Sequence, residues 1–324
     1  MGPDDRTERV LTALLATQRQ SWEQGVAAQA LLDLGRDELV VLLAHAAVTR
    51  QHADGRLGDV GEDGAVNGAA CGEAVRHAAA VTGEPRYAAA LDAQLGWLVD
   101  RAPRADDGTL YHVLGSRQVW ADTVHMVVPL LALTGHVDLA VAQVVGHRRR
   151  LYDENTGLYG ARWDADAGRL THPRPWATGN GWVVTGIARG LHLAPAWPPG
   201  TRDELAGHAR AVLDAVLVHR GDDGLFPDVL DDPGSFREAN VAQMLAYAAL
   251  TGVADGWLPP SYTEVGRELV GAADRRVDRY GLVTGVSGSP DFTGPGTSAE
   301  AQAFHLLAHA ALRRLDGSGD GRRS

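Results

Sequence analysis

Lysine is missing altogether: all 30 basic side chains of the 324-residue chain are arginine. Without lysine there can be no Schiff-base nucleophile, no pyridoxal anchor and no phosphate-loop lysine. Cysteine is almost as scarce. The single Cys71 cannot form an internal disulfide, and no Cys/His spacing suggests zinc. No apolar run is long enough to span a membrane. The opening MGPDDRTERVLTALLATQ is acidic and then amphipathic, unlike a signal peptide. With a net charge of −11 and no long basic tract, the chain is poorly suited to nucleic acid. These absences lead us to expect a soluble cytoplasmic protein.

What is present is a 45% hydrophobic chain with 39 glycines, enough for a sizeable core. Five segments resemble one another: ADGRLGDV from Ala53, DDGTLYHV from Asp106, NTGLYGAR from Asn155, DDGLFPDV from Asp222 and RYGLVTGV from Arg279. Their shared leucines, Leu57, Leu110, Leu158, Leu225 and Leu282, are spaced by 53, 48, 67 and 57 residues. Each segment is a glycine turn leading into a short extended piece, and recurrence at this period means stacked supersecondary units. Twelve helices are predicted between them, starting near Asp5, Trp22, Arg36, Asn67, Glu84, Trp120, His136, Gly179, Arg202, Phe236, Tyr262 and Thr297. Short connections alternate with long glycine-rich ones, which puts the long loops on one rim. Six such hairpins in a ring make an all-α (α/α)6 barrel. A single domain is expected over 1–315, with a disordered glycine- and charge-rich tail at 316–324. The Ala-rich stretch Ala88 to Leu95 reads as close-packing inner-ring helix.

On that rim, QVWADTVHMVVPLLAL (Gln118 to Leu133) reads as an apolar helix with one carboxylate, Asp122, near its start. An aspartate there ordinarily just complements the helix dipole. Walled by Trp120 and Met126, however, it would be desolvated and its pKa raised, which suits a general acid near neutral pH. The rim also gathers Asp59, Asn67, His112, Trp163, His172, Trp176, Asn180, Trp182, Glu238 and Asn240. Aromatic rings beside carboxylates and amides suit a sugar site, although any one tryptophan could equally fill the core.

WATGNGW (Trp176 to Trp182) resembles the WxRGNGW motif of the unsaturated uronyl hydrolases of glycoside hydrolase families 88 and 105. Asp122, Met126 and Pro129 match an upstream Asp-(x)3-Met-(x)2-Pro segment of that family, and WEQGVAAQALLDLG (Trp22 to Gly35) and REANVAQMLAYA (Arg237 to Ala248) resemble further family segments. The resemblance implies an (α/α)6 barrel and an oligosaccharide substrate ending in an unsaturated uronic acid. Asp122 would protonate C4 of the C4=C5 enol ether and activate water for C5, in chemistry that the resemblance implies needs neither a metal nor a cofactor. It also implies a second catalytic position at Asn67. Substrate contacts would come from Trp22, His112, Trp120, Met126, His172, Arg174, Trp176, Thr178, Asn180 and Trp182. Two positions depart from the family: Thr178 stands where the motif has Arg, and Asn67 where the family has Asp. Arg174 is the candidate to replace the missing guanidinium. Two other readings stay open. One is a glycosidase for saturated sugars, with Asp59, Glu73 or Glu238 as second carboxylate. The other is a sugar-binding barrel without turnover.

Overall fold

The computed structural model describes residues 3–58, 61–194 and 196–320. Twelve α-helices form in the expected order: α1 (Pro3–Thr17), α2 (Ser21–Asp33), α3 (Asp37–Thr49), α4 (Gly72–Thr82), α5 (Pro85–Gly96), α6 (Thr123–Leu133), α7 (Val137–Leu151), α8 (Ala177–Leu193), α9 (Thr201–Leu217), α10 (Asn240–Ala254), α11 (Tyr262–Asp274) and α12 (Ala299–Asp320). A 3-10 turn, Asn67–Cys71, leads into α4. Contacts close a ring of α2, the 67–82 segment, α6, α8, α10 and α12, with the odd-numbered helices packed outside it. This is the (α/α)6 barrel. Among the described residues, no helix is long and apolar enough to cross a membrane.

Packing explains which helices lie inside. Helix α6 is buried from Thr123 to Ala132, so it has no polar face to show to water. Close approach in the inner ring depends on glycine: a Cβ on Gly25 would sit 2.4 Å from the Ala70 Cβ, and one on Gly186 2.7 Å from the His125 backbone. The Ala88–Leu95 stretch does not do this job. It belongs to α5 in the outer ring, where Ala88 and Ala89 are exposed. Alanine permits close packing but does not say which ring a helix joins.

The five repeated turns share one device. Gly55, Gly108, Gly157, Gly224 and Gly281 all adopt positive φ, between 73° and 104°, a region closed to most L-residues. After each turn an apolar residue enters the core; Leu57, Leu110, Leu158 and Leu225 are buried, and at the fifth repeat Val283 takes the place of Leu282. Short strands brace the long loops: β1 (Gln118–Trp120), β2 (Tyr152–Asp153), β3 (Leu158–Tyr159), β4 (Arg162–Asp164), β5 (Arg169–His172), β6 (Phe226–Pro227), β7 (Arg237–Glu238), β8 (Val286–Ser287) and β9 (Pro295–Gly296). Among the described residues, only β1, β4 and β5 make a sheet of more than two strands. Two expected helix starts are therefore late. Trp120 lies in β1, and Phe236 precedes β7, because the chain completes a strand pairing before each inner helix begins. The tail also differs from expectation, since α12 stays helical through Asp320; residues 321–324 lie outside the described residues.

Candidate active site

The inner helices begin at the rim that carries the long loops, and the first residues of all of them but α10 line a cavity of about 710 Å³. Asp122 is the N-cap of α6, but its side chain makes no capping hydrogen bond. Its backbone carbonyl instead accepts from the amides of His125 and Met126. The carboxylate is thereby left facing the cavity, with Trp120 and Met126 also in the lining. Burial pushes its carboxyl up to about 6, and the nearby Arg162 guanidinium opposes that rise.

The sheet builds one wall. Register places Trp120 opposite Arg162, and Arg162 opposite His172, so the three side chains form a row across β1, β4 and β5. All three line the cavity. Strand alternation sends Val119 and Trp163 to the other face, where both join the core packing. Trp163 is therefore not in the lining. The Arg162 Cζ lies 3.8 Å from the centre of the Trp120 ring, and His112 stacks on Trp120 with centroids 4.4 Å apart. Burial and the Arg162 charge push His112 down to about 3, so the ring is neutral; its Nδ1 pairs with Thr123 Oγ1 at 2.9 Å.

The opposite wall is acidic. The Trp176 indole N–H donates to Asp228 at 3.1 Å, and Asp228 also accepts from Ser287 Oγ at 2.8 Å. Behind it, Glu238 is fully buried and accepts from the Asn240 amide at 2.6 Å and Thr178 Oγ1 at 2.9 Å. Burial pushes Glu238 up to about 7. Glu300, in the first turn of α12, lines the cavity, and burial followed by the nearby Asp122 charge raises it well above the usual carboxylate range. Above the floor, Trp22 meets the edge of Trp182 and tilts against Phe292, which holds a left-handed φ of 55° at the cavity mouth.

Of the sites read from sequence, Asp122, Asn67, Trp22, His112, Trp120, Met126, His172, Arg174, Trp176 and Trp182 come together around this cavity. Gly64 seats Asn67, since a Cβ there would overlap the Asn67 amide at 2.4 Å. Thr178 and Asn180 do not reach the cavity. Thr178 is buried against Glu238. Asn180 clamps β3 to α8: its Oδ1 accepts from the Tyr159 amide at 2.8 Å, while its Nδ2 donates to the carbonyls of Tyr159 and Trp176 at 3.0 Å. These bonds leave no hydrogen-bonding group of Asn180 aimed at a sugar. As for the second-carboxylate candidates, Asp59 lies outside the described residues, and Glu73 is buried in an ion pair with Arg189 at 2.8 Å. Glu238 sits behind the wall, and Asn240 is buried beside it. Sequence reasoning missed Arg162, Asp228 and Glu300. The fifth position after the third repeat glycine, Gly157, would have flagged only an arginine near a turn.

Among the described residues, one group of side chains is close enough to share a metal ion. Asp274, His305 and His309 have donor atoms within 4.8 Å of one another. They lie away from the cavity, and Asp274 is already engaged by Arg6 and by His309 Nε2 at 2.8 Å.

A model of Glycosyl Hydrolase Family 88 matches residues 4–293. The unsaturated rhamnogalacturonyl hydrolase YesR of Bacillus subtilis is 26% identical over 277 residues, covering 80% of this chain and 76% of that protein. A possible member of family GH105 from Salmonella enterica superposes with a TM-score of 0.83 at 21% identity, over 96% of this chain and 93% of that one. An unsaturated glucuronyl hydrolase specific for heparin gives a TM-score of 0.73 at 16% identity, over 98% and 99% of the two chains. These structural likenesses show the shared barrel. The family match spans nearly the whole chain and includes the helix starts at Trp22, Asn67, Asp122 and Trp176: this protein belongs to glycosyl hydrolase family 88 and is a glycoside hydrolase.

Proposed function

We propose that the enzyme removes a non-reducing-end unsaturated uronic acid from an oligosaccharide by hydrating its C4=C5 enol ether. The observation that carries this reading is Asp122, a carboxyl held near pKa 6 in an aromatic cavity and spared from capping its own helix. At that pKa it holds a proton in mildly acidic solution and also gives it up readily. Asp122 delivers the proton to C4, and the C4=C5 electron pair forms the new C–H bond. The ring oxygen then stabilises the cation at C5. A water molecule bonds to C5 and returns a proton to the Asp122 carboxylate. The resulting hemiketal opens and releases the rest of the sugar chain.

One acid/base group suffices because the vinyl ether already supports the oxocarbenium-like state. A glycosidase for saturated sugars needs two carboxyls in opposite protonation states. Glu300 shares the cavity with Asp122 and is raised partly by that neighbour's charge, so activity on unsaturated against saturated substrates separates the two readings. Neither Asn67 nor Thr178 is required to move a proton in this scheme. The relatives named for unsaturated rhamnogalacturonyl and glucuronyl substrates point the same way. The test is product analysis with a panel of unsaturated disaccharides, wild type against Asp122→Asn. Cleavage of saturated glycosides with no action on unsaturated ones would refute it.

A further inference from the structure

We propose that Arg162 is the receptor for the substrate's carboxylate, standing in for the guanidinium that Thr178 lacks. The inference rests on the reading that the terminal sugar is a uronate. An anion entering this cavity meets Asp122, Asp228 and Glu300, so it needs a cation to bind. Only Arg162 and Arg174 among the described lining residues carry a guanidinium. Arg174 is already neutralised on the exposed rim by Asp231 at 3.1 Å and Asp232 at 3.2 Å. His112 is uncharged and bonded to Thr123.

Arg162 differs from both. No carboxylate pairs with it among the described residues, and its flat face is fixed over Trp120, which is itself backed by His112. Stacking uses the π-face of a guanidinium and leaves the in-plane N–H donors at its edge free, in the fork that fits a carboxylate. Cross-strand pairing with Trp120 and His172 sets its position, so the donors are organised before any ligand arrives. The chemistry agrees with the placement. In an unsaturated uronate the carboxylate is attached to C5, next to the C4 that must be protonated. Arg162 is near enough to Asp122 to influence its proton, so a carboxylate held on Arg162 brings C4 toward Asp122.

Charge neutralisation then follows. Free Arg162 opposes protonation of Asp122, whereas Arg162 paired with an anion does so less. The alkaline limb of kcat should therefore lie at higher pH than that of kcat/KM, and the gap should close in Arg162→Gln.

The decisive measurement is binding without turnover. Calorimetry on Asp122→Asn protein compares a disaccharide ending in a uronic acid with its methyl ester. We expect the acid to bind about ten- to a hundredfold more tightly, the range for a charge-assisted bidentate pair. The double variant Asp122→Asn/Arg162→Gln should lose that discrimination, and Arg162→Lys should restore part of it. Thermal melts confirm that each variant is folded. If the double variant still prefers the acid, or if Arg174→Gln rather than Arg162→Gln removes the preference, the proposal is overturned. Turnover of unsaturated disaccharides by wild type is scored separately. If turnover is absent but acid binding depends on Arg162, the reaction fails and the carboxylate site stands. If turnover is present and Arg162→Gln keeps the acid preference, the reverse holds.

Discussion

The barrel buries charge at two levels and treats it in opposite ways. Deep in the ring, the Arg189 guanidinium is 1% exposed and fully paired: with Glu73 at 2.8–3.0 Å, with Asp33 at 3.2 Å and with the Tyr247 hydroxyl at 3.0 Å. Glu73 also accepts from Gln29 Nε2, and the Gln29 Oε1 pairs with His125 at 3.0 Å, so every charge there has a partner. Arg189 lies twelve residues beyond the start of α8, about 18 Å down the helix. At the upper level Asp122, Glu238 and Glu300 are enclosed without a salt bridge among the described residues. A buried carboxyl lacking a counter-charge responds by keeping its proton. The lower level thus ties inner helices together, and the upper level keeps its carboxyls protonated to higher pH than usual. Burial is common to both; the counter-charge decides which role follows.

The contrast breaks most sharply at Asp122. Asp122→Asn should cut turnover of an unsaturated disaccharide by about 10²- to 10⁴-fold while leaving the thermal midpoint equal or higher. Steady-state kinetics and a melt check both halves, and activity within about threefold of wild type would end the assignment.

Next in size is Arg189→Met, which leaves Glu73 and Asp33 facing one another without a cation. It should cost about 3–5 kcal/mol in urea unfolding. Because this centre serves structure, the pH limb assigned to Asp122 should stay in place in the folded fraction.

A smaller effect is expected at Glu238. Its carboxyl ionises near 4.5 when unfolded and near 7 when folded, so the unfolded state releases its proton first as pH rises. Stability from this group is complete below about pH 4.5 and is lost progressively up to about pH 7. Glu238→Gln should flatten that decline, by on the order of 1–3 kcal/mol at pH 7, in unfolding measured across the window.

The smallest shift sharpens the comparison within the cavity. Catalytic efficiency should fall as pH rises through about 6, the value of Asp122. Burial and the Asp122 charge raise Glu300 well above the usual carboxylate range, so Glu300→Gln should move the limb by less than about half a pH unit. A drop toward the usual Asp range would mean that Glu300 is ionised and is itself raising Asp122.

Much of this was legible in the residues. Helix periodicity and the five positive-φ glycines are local properties, so twelve helices and their closure into a ring could be read before any contact was known. Asp122 was legible for a similar reason, because its neighbours Trp120 and Met126 in sequence are also its neighbours in space. Thr178 and Asn180 misled because a motif shows proximity to a site but not direction; one turn of α8 separates Trp176, which lines the cavity, from Asn180, which points into the fold. Arg162 and Glu300 were invisible because they depend on long-range pairing. Arg162 reaches Trp120 across 42 residues through one strand register, and Glu300 arrives on a helix whose sequence is ordinary, Ala-rich core.

The shared direction of the inner helices also bears on how a ligand arrives. Trp22, Asn67, Asp122, Trp176 and Glu300 all stand at helix starts and all border the cavity. Each α-helical start carries about half a positive charge on amides that no preceding turn can satisfy. Pointed at one mouth, these half-charges act against the lining carboxyls in a chain whose net charge is −11. Field lines focused this way hasten the capture of anions, and added salt weakens the attraction. The backbone itself therefore supplies an inward pull on a negatively charged sugar, and in a chain with no lysine anywhere it offsets part of the repulsion from the carboxyls that line the cavity.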